Sequence, residues 1–354
     1  MIDFTQFNIA INLAFFAAAA AAVWIAGTKL INYANALSIK TGIGHAVIGM
    51  ILLAGITSMP EFATVFTSAA IGAVDLAVGD MFGSIALQVV ILAIADFLIG
   101  SRALTSRIPD PQVLLQAGLN IVLLAIAAAG MVVGDVAILG IGAWLWANLI
   151  VFGGGIYLLA QAQNRTPWLP SRDGDVDTDL SGKEEESQEQ VGGDYLEKSL
   201  RVIIIWIAGL GLVILAAGVV LANAGNAIAE QSGLGGGFVG FALLAVSTSL
   251  PELSTTLPAA RKGLFTLAIS EILGTNLINV TMLFPTDAIA GGEPILNQVG
   301  DFAIFSALLG IVLTTLLLIG LAERGDRTVL RLGYDSAAII VVYAVGLVVL
   351  FNLR

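Results

Sequence analysis

Two short elements of the sequence place a carboxylate beside a proline and hydroxyl side chains within apolar surroundings. They read TSMPE at residues 57–61 and TSLPE at residues 248–252. A proline removes one intrahelical hydrogen bond and clashes with the carbonyl four residues earlier, so each element should free backbone oxygens. Carboxylates, hydroxyls and free carbonyls form an all-oxygen ligand set, which suits hard cations such as Ca²⁺ and Na⁺. The candidate ligands are Glu61, Thr57, Ser58 and the Ala54 carbonyl in the first element, and Glu252, Thr248, Ser249 and the Ala245 carbonyl in the second.

The charge of the two glutamates needs compensation if they lie within a membrane. An unpaired carboxylate at that depth costs on the order of several kcal/mol, and no intramembrane lysine or arginine is available to pair with it. A bound cation or proton is therefore the predicted compensation. The alternative is a proline kink whose glutamate stays protonated and hydrogen-bonded, and the occurrence of the pattern twice argues against it.

Each element is followed along the chain by a stripe of three polar residues that are spaced four residues apart. Its members are Asp80, Ser84 and Gln88 after the first element, and Glu271, Thr275 and Asn279 after the second. Residues four apart lie on one face of a helix, so these side chains could complete the coordination shell. The two acids of the stripe could bind the cation, accept protons or line a water-filled vestibule.

The two elements belong to an internal repeat. Residues 49–96 align without a gap to residues 240–287, at a constant offset of 191 that takes Glu61 to Glu252, and roughly a third of the positions are identical. Five predicted spans separate matching points, so the copies should cross the membrane in opposite directions. Inverted repeats with broken helices and midplane polar groups are the plan of secondary transporters.

The composition is that of a membrane protein. Of the 354 residues, 58% are hydrophobic and 12% charged, about half the charged fraction of a soluble domain. Several apolar runs reach the ~20 residues that cross a bilayer. The fold class predicted is an all-α polytopic membrane protein with ten transmembrane helices, arranged as two inverted five-helix repeats. The ten segments are about 8–27, 46–70, 75–99, 112–132, 136–161, 201–222, 236–259, 264–288, 302–321 and 336–352.

Lysine and arginine concentrate in alternate connections between the segments, which predicts the orientation of the chain. Lys29 and Lys40 are placed in the first of these loops, and the basic loops are expected on the cytoplasmic side. Both termini should then face outward. The predicted organisation is a first five-helix half at 1–162, an acidic cytoplasmic linker at 163–200 and a second half at 201–354.

The linker contains a possible second ion site. Residues 173–184 place acidic or hydroxyl side chains at the ligand positions of a calcium-loop template. Thr178 stands where the sharp turn wants glycine, so a solvated acidic linker is the preferred interpretation and weak calcium binding the alternative. Asp96 and Asp287, near the ends of the polar-stripe helices, are expected to be capping or interface groups.

The paired motifs resemble those of a known family. Motifs of the form G-T-S-x-P-E, each followed by G-S-N, are typical of the two α-repeats of the calcium/cation antiporter superfamily, which includes the sodium/calcium exchangers. Here they stand as GITSMPEF with GSIALQ, and as STSLPEL with GTNLIN. The resemblance implies that the two glutamates are the central cation ligands and that Ser84, Gln88, Thr275 and Asn279 are further ligands. It also implies that segments 1 and 6 slide over the repeat core.

The motifs depart from the family pattern in their acidic residues. Gln88 and Asn279 replace residues that are often asparagine and aspartate, so one expected carboxylate is missing. Asp80 and Glu271 stand where asparagine is common, and Ile85 replaces the G-S-N asparagine of the first copy. Acid has moved one helical turn along the same face, which makes proton coupling or another divalent ion such as Mg²⁺ plausible.

The predicted function is secondary active cation antiport in the cytoplasmic membrane, exchanging Ca²⁺ for Na⁺ or H⁺ by alternating access. An exchanger of Mg²⁺ or another divalent ion is an alternative, and a cation channel is the rival from another class. An intramembrane enzyme is disfavoured, because cysteine is absent and His45 is the single histidine; a cation sensor or scaffold is a further rival. Neither a cofactor, a nucleic acid nor an obligate protein partner is expected.

Overall fold

The computed structural model describes most of the chain. The described residues are 3–41, 58–99, 103–107, 112–162, 193–263, 265–323, 328–329 and 332–354. The predicted ligands Thr57 and Ala54, and His45, lie outside these ranges. So do the calcium-loop residues 173–184 and most of the linker.

Twelve helices of eight or more residues form the described part of the fold. In the first half they are α1 (Ile9–Thr41), α2 (Met59–Ala70), α3 (Val74–Ile99), α4 (Gln112–Val133) and α5 (Ala143–Ala162). In the second half they are α6 (Leu200–Ser232), α7 (Gly236–Thr248), α8 (Leu250–Arg261), α9 (Phe265–Thr281), α10 (Leu283–Ala290), α11 (Asp301–Glu323) and α12 (Tyr334–Leu353). Helix α7 contains a π-helical turn at Gly240–Leu244. Short helical turns lie at Phe4–Gln6, Leu104–Arg107, Gly193–Leu196 and Ile295–Gln298.

Two short antiparallel hairpins interrupt the helical pattern. Strands β1 (Ala137–Ile138) and β2 (Ile141–Gly142) precede α5, and strands β3 (Thr328–Val329) and β4 (Leu332–Gly333) precede α12. The segment predicted from residue 136 therefore begins as a helix only at residue 143. The turn at Leu139 and Gly140 has positive φ angles of 54° and 82°, which are incompatible with a right-handed helix.

The helices are long and apolar enough for a multi-pass membrane protein. Within the described residues, eight spans meet the length and composition needed to cross a bilayer, with α9 and α10 counted as one span at Phe265–Ala290. A ninth results if α7 and α8, which are bent by 52°, form one broken span. The prediction of an all-helical polytopic membrane fold is confirmed. The count of ten stays a prediction, because residues 46–57 of the second segment lie outside the described ranges.

The secondary structure repeats along the chain with the offset found in the sequence. Helices α1, α2, α3 and α5 begin 191 residues before α6, α8, α9 and α12 respectively, and β1 and β2 begin 191 residues before β3 and β4. Helix α3 ends at Ile99, and the α9–α10 span ends 191 residues later at Ala290. The repeat thus extends well beyond the aligned residues 49–96 and 240–287.

Helices α1 and α6 are longer than their apolar segments. Each has 33 residues, a length of about 50 Å at 1.5 Å per residue, against a hydrocarbon core of ~30 Å. The placement of Lys29 and Lys40 in a loop is therefore wrong, since both lie on α1. The loss of hydropathy after residue 27 marks the edge of the apolar stretch, whereas the backbone hydrogen bonds continue to Thr41. Helix α6 ends where Gly233 adopts a left-handed conformation.

Helices α1 and α6 pack against each other in antiparallel orientation. At one end the Asn12 amide donates to the Gln231 side chain at 3.2 Å. Toward the other end the rings of Tyr33 and Trp206 stack with their centroids 5.7 Å apart. Residue numbers rise along one helix as they fall along the other, so these two repeat-related helices point in opposite directions.

Helix α3 lies at the centre of the molecule. Of its most apolar window, 72% is buried in protein, against 22% for α5 and for α12. It contacts α2, α7, α8, α9, α11 and α12. Polar side chains on α3 are therefore shielded from lipid by the surrounding helices.

Candidate cation-binding site

Glu61 and Glu252 occupy equivalent positions at the starts of helices α2 and α8. Each is the third residue of its helix and follows a proline at the second. Proline is tolerated there because the first N–H groups of a helix have no intrahelical partner. In the second repeat the predicted helix interruption is a break, because Ser249, between α7 and α8, has φ −86° and ψ 5°. Ser58, which directly precedes α2, has the similar angles φ −80° and ψ 7°.

Both glutamates are completely buried and lack hydrogen-bond partners. Each has 0% exposure, and all four carboxylate oxygens have no partner among the described residues. Buried acids without partners carry a large desolvation cost, so this arrangement requires a compensating positive charge.

Further unpartnered polar atoms are buried on the helices that carry or surround the glutamates. The side chains of Gln88 on α3 and Asn279 on α9 have neither their amide nitrogen nor their oxygen paired among the described residues, and both are fully buried. The hydroxyls of Ser58, Ser249 and Thr275 are likewise buried and unpaired there. Buried polar groups cost free energy when they have no hydrogen-bond partner. Amide and hydroxyl oxygens are also ligands for hard cations.

The two halves of the chain meet at Ser84 and Thr248. The Ser84 hydroxyl on α3 lies 3.4 Å from the Thr248 hydroxyl on α7. Thr248 also lies within hydrogen-bonding range of Asp80, at 3.3 Å from Oδ1. Three predicted site residues that are up to 168 positions apart in the chain are therefore brought together.

The prediction that proline frees the Ala245 carbonyl is wrong in this structure. That carbonyl accepts the backbone N–H of Ser249 at 3.0 Å. The reason is the register of the helix, since Pro251 removes the bond that would reach residue 247 rather than residue 245. A carbonyl oxygen has two lone pairs, and the second lone pair of Ala245 meets the Thr248 hydroxyl at 3.4 Å, a long contact that a cation could replace.

Two threonines that the sequence analysis did not select bind the relocated acids. Thr64 on α2 donates to Oδ2 of Asp80, and Thr255 on α8 donates to Oε1 of Glu271 at 2.7 Å. These pairs are equivalent under the repeat, and in each the threonine lies three residues after the site glutamate. The signal that could have identified them is the identity of Thr64 and Thr255 in the repeat alignment.

The environments of the two relocated acids differ despite the repeat. Asp80 is fully buried, and the hydroxyls of Thr64 and Thr248 donate to its carboxylate. Glu271 is partly exposed and has the single hydroxyl partner Thr255. The sequence predicted equivalent acids, whereas the structure encloses only the first.

Asp96 and Asp287 lie outside this cluster and join the two halves. Asp96 accepts the N–H groups of Leu104 and Gly333, both at 2.7 Å. Asp287 accepts those of Ile295 and Gly142, also both at 2.7 Å. Each carboxylate thus binds one turn of its own half and one hairpin of the other, which is the interface role expected.

The cluster is poor in metal ligands other than oxygen. Across the described ranges, no group of three or more histidine, cysteine, aspartate or glutamate side chains is close enough to hold a metal ion. A cation at Glu61 and Glu252 would therefore be held by two carboxylates and neutral oxygens. That ligand set fits Ca²⁺, Na⁺ or a proton better than a transition metal.

Sequence comparison gives a match over most of the chain. The family model described as sodium/calcium exchanger protein matches residues 11–161 and 202–352. The inner membrane protein YrbG of Escherichia coli is 26% identical over 270 residues, which cover 74% of this chain and 74% of that protein. A putative antiporter, CaxA of Alkalimonas amylolytica, is 24% identical over 319 residues, covering 86% of this chain and 89% of that protein.

Structural comparison gives the same fold. The crystal structure of the H⁺/Ca²⁺ exchanger CAX superimposes with a TM-score of 0.65, covering 97% of this chain and 86% of that one. The sequence identity is 13%, so this likeness concerns the fold alone.

Proposed function

The chain belongs to the sodium/calcium exchanger family and is a cation antiporter, and we propose that Glu61 and Glu252 form the site at which the exchanged cations bind. The observation that carries this proposal is the burial of both glutamates without any partner for their carboxylate oxygens among the described residues. A cation bound between them would supply the missing charge. The family is one of transporters rather than of enzymes.

The neutral ligands complete this site from both halves of the chain. Ser58, Ser84 and Gln88 would contribute from the first half, and Thr248, Ser249, Thr275, Asn279 and the Ala245 carbonyl from the second. Thr57 and the Ala54 carbonyl are proposed as the counterparts of Thr248 and Ala245. Because the oxygens of Gln88 and Asn279 are unpaired within the described structure, they can turn toward a cation without breaking a hydrogen bond.

The exchanged ion is proposed to be Ca²⁺, with Na⁺ or H⁺ moving in the opposite direction. The oxygen-only ligand set supports a hard cation, and the exchanger named above provides an example of Ca²⁺ exchange for H⁺ on this fold. Mg²⁺ or another divalent ion remains the alternative. One observation favours proton coupling: Asp80 is a third buried acid whose partner Thr64 lies one helical turn after Glu61, and within the described residues its carboxylate accepts from the neutral hydroxyls of Thr64 and Thr248.

The proposed topology has ten transmembrane helices in two inverted repeats, with both termini outside. Residues 1–162 and 201–354 would be the two halves, joined by a cytoplasmic linker at 163–200. The constant 191-residue offset of the elements supports the repeat. The antiparallel packing of α1 against α6 supports the inversion, and the position of lysine and arginine supports the orientation.

Alternating access would require α1 and α6 to move against the site helices. Gly27 on α1 faces Pro251 on α8, and a Cβ atom there would lie 2.5 Å from Pro251 Cγ. The repeat-equivalent Gly218 on α6 faces Ala63 on α2, and a Cβ atom there would lie 2.2 Å from Ala63 Cβ. Both long helices thus meet a site helix at a glycine, a smooth contact along which helices can slide.

Counterflow in proteoliposomes tests the proposed function. Purified protein is reconstituted, Na⁺ and pH gradients are imposed separately, and Ca²⁺ uptake is followed with an internal indicator dye. Uptake that requires one of the gradients is expected. Uptake of equal rate with neither gradient would indicate a channel, and no uptake under either gradient, with Mg²⁺ also inactive, would refute antiport of these ions.

A further inference from the structure

A cavity lies away from the cation site, at the junction of α1 with the start of α6. Its volume is about 280 Å³, and it is lined by Lys29, Tyr33, Tyr195, Lys198 and Trp206. We call these five residues the basic-aromatic pocket. Among the described residues, its lining consists of two lysines and three aromatic residues, without an acidic side chain.

The aromatic rings of the pocket hold one another in place. Tyr33, on α1, stacks on Trp206 of α6 with an angle of 6° between the rings. Tyr195 meets Tyr33 edge to face, with their centroids 4.8 Å apart. Tyr33 is 4% exposed, whereas Trp206 is 47% exposed, so the buried Tyr33 ring forms the back of the pocket and the Trp206 ring extends to its rim.

Lys198 is held against this wall with its charge unneutralised by any lining residue. Its Nζ donates to the Tyr33 hydroxyl at 2.7 Å and lies 4.8 Å and 5.0 Å from the ring centres of Tyr33 and Tyr195. The aromatic faces stabilise a cation without cancelling its charge. Lys29, one helical turn before Tyr33, also lines the pocket. Two lysines therefore give this space a positive charge that suits an anion.

Exposed apolar surface continues from the pocket along both helices. Trp24 and Ile25 precede Lys29 on α1 and are 51% and 58% exposed, and Leu212 and Val213, which follow Trp206 on α6, are 68% and 47% exposed. Because α1 and α6 are antiparallel, falling residue numbers on α1 and rising numbers on α6 both lead from the pocket toward the Asn12–Gln231 end, so these residues lie on the same side of the pocket, toward the membrane interior. An anion bound at the lysines would thus have an apolar path next to it.

We propose that the basic-aromatic pocket binds the phosphate of an anionic phospholipid, with the acyl chains lying along the exposed apolar surface of α1 and α6. Lysines at the membrane surface attract anionic lipids, and tyrosine and tryptophan settle at the interface between headgroups and hydrocarbon. The site lies on the two helices proposed to slide. A lipid bound there would make the movement of α1 and α6 depend on the anionic lipid content of the membrane.

Native mass spectrometry of the detergent-solubilised full chain tests this proposal. Phosphatidylglycerol, phosphatidylcholine and inorganic phosphate are titrated separately, and the lipid molecules retained per chain are counted. One phosphatidylglycerol should bind at least about tenfold more tightly than phosphatidylcholine, because only the former carries net negative charge. Millimolar inorganic phosphate should not displace it, since phosphate lacks the acyl chains.

Variants locate the site. Lys29→Gln combined with Lys198→Gln should reduce phosphatidylglycerol affinity about tenfold or more, and Lys29→Gln alone, at an exposed side chain, should reduce it without loss of folding. The matched control is Lys262→Gln, which changes an exposed lysine at the end of α8 and should bind as the wild type does. Equal binding of the two lipids, unchanged binding in the Lys29 and Lys198 variants, or displacement by inorganic phosphate would each overturn the proposal.

Discussion

The side-chain amide of Asn276 donates a hydrogen bond of 3.4 Å to the backbone carbonyl of Ile85, the residue 191 positions earlier. Two repeat-equivalent residues are therefore in direct contact, where α3 and α9 pack against each other. The contact is made by unlike residues, because the first copy has isoleucine where the second has asparagine. The two halves thus meet at repeat-equivalent positions, but the side chains at these positions differ between the halves.

Glu61→Gln and Glu252→Gln are each expected to reduce exchange at least about 100-fold while the protein stays folded. Removing one partner of a buried charge interaction costs about 3–5 kcal/mol. Here the charge that loses its partner is the bound cation, so the cost should appear as weaker cation binding. Ca²⁺ should raise the unfolding temperature of the wild type and not that of either variant, since only a protein that binds the ion is stabilised by it. Glu230→Gln, at an exposed position on α6, is the control. Wild-type flux in either site variant would remove that glutamate from the site.

Asp80→Asn and Glu271→Gln should change the ion preference or the pH dependence of exchange. The effect of Asp80→Asn should be the larger, because Asp80 is fully buried and accepts from two threonine hydroxyls, whereas Glu271 is only partly buried and has one hydroxyl partner. The measurement is the initial rate of Ca²⁺ and Mg²⁺ uptake across a range of pH values. If both profiles match those of the wild type, the two acids line a vestibule and take no part in ion selection.

Thr64→Val removes the hydroxyl that donates to Asp80 and should therefore change the apparent affinity or the pH dependence of transport. A hydrogen bond to a charged group contributes about 1.5–3 kcal/mol, so about a tenfold change in the apparent KM for Ca²⁺ or a displaced pH profile is expected. Thr64→Ser retains the hydroxyl and should behave as the wild type does. Thr255→Val should have the same kind of effect to a smaller extent. A purely structural role would lower the unfolding temperature and leave both the KM and the pH profile unchanged.

Gly27→Ala should slow exchange more than it weakens Ca²⁺ binding. The added methyl group would lie 2.5 Å from Pro251 Cγ, and overpacking of this kind typically costs about 1–3 kcal/mol. Gly209→Ala on α6 is the matched control, because a Cβ atom there meets nothing within 4 Å. Flux rates give the first quantity, and Ca²⁺-dependent thermal stabilisation gives the second. Equal rates in the two variants would show that the close contact at Gly27 is not limiting.

The residues of the candidate site differ in how far the sequence could predict them. Glu61, Glu252 and the polar stripes were predictable, because helical spacing and the repeat are properties of residues near one another in the chain. Thr64 and Thr255 were not selected, since nothing in the local pattern says that a threonine three residues after a glutamate meets an acid 16 residues farther on. Their pairing depends on how α2 packs on α3, and α8 on α9.

By itself, the sequence determined that this chain is an apolar, multi-pass helical protein with a duplicated carboxylate motif and, through that motif, its family. Hydropathy and the repeat suffice for that because burial in lipid acts on each segment separately. Only the tertiary structure decided that α1 extends to Thr41, that Ser84 of one half meets Thr248 of the other, and that Asp80 is fully buried while Glu271 is only partly buried. It also assembled the basic-aromatic pocket from residues of α1 and residues more than 160 positions later. These features depend on packing between distant segments, which local sequence patterns do not encode.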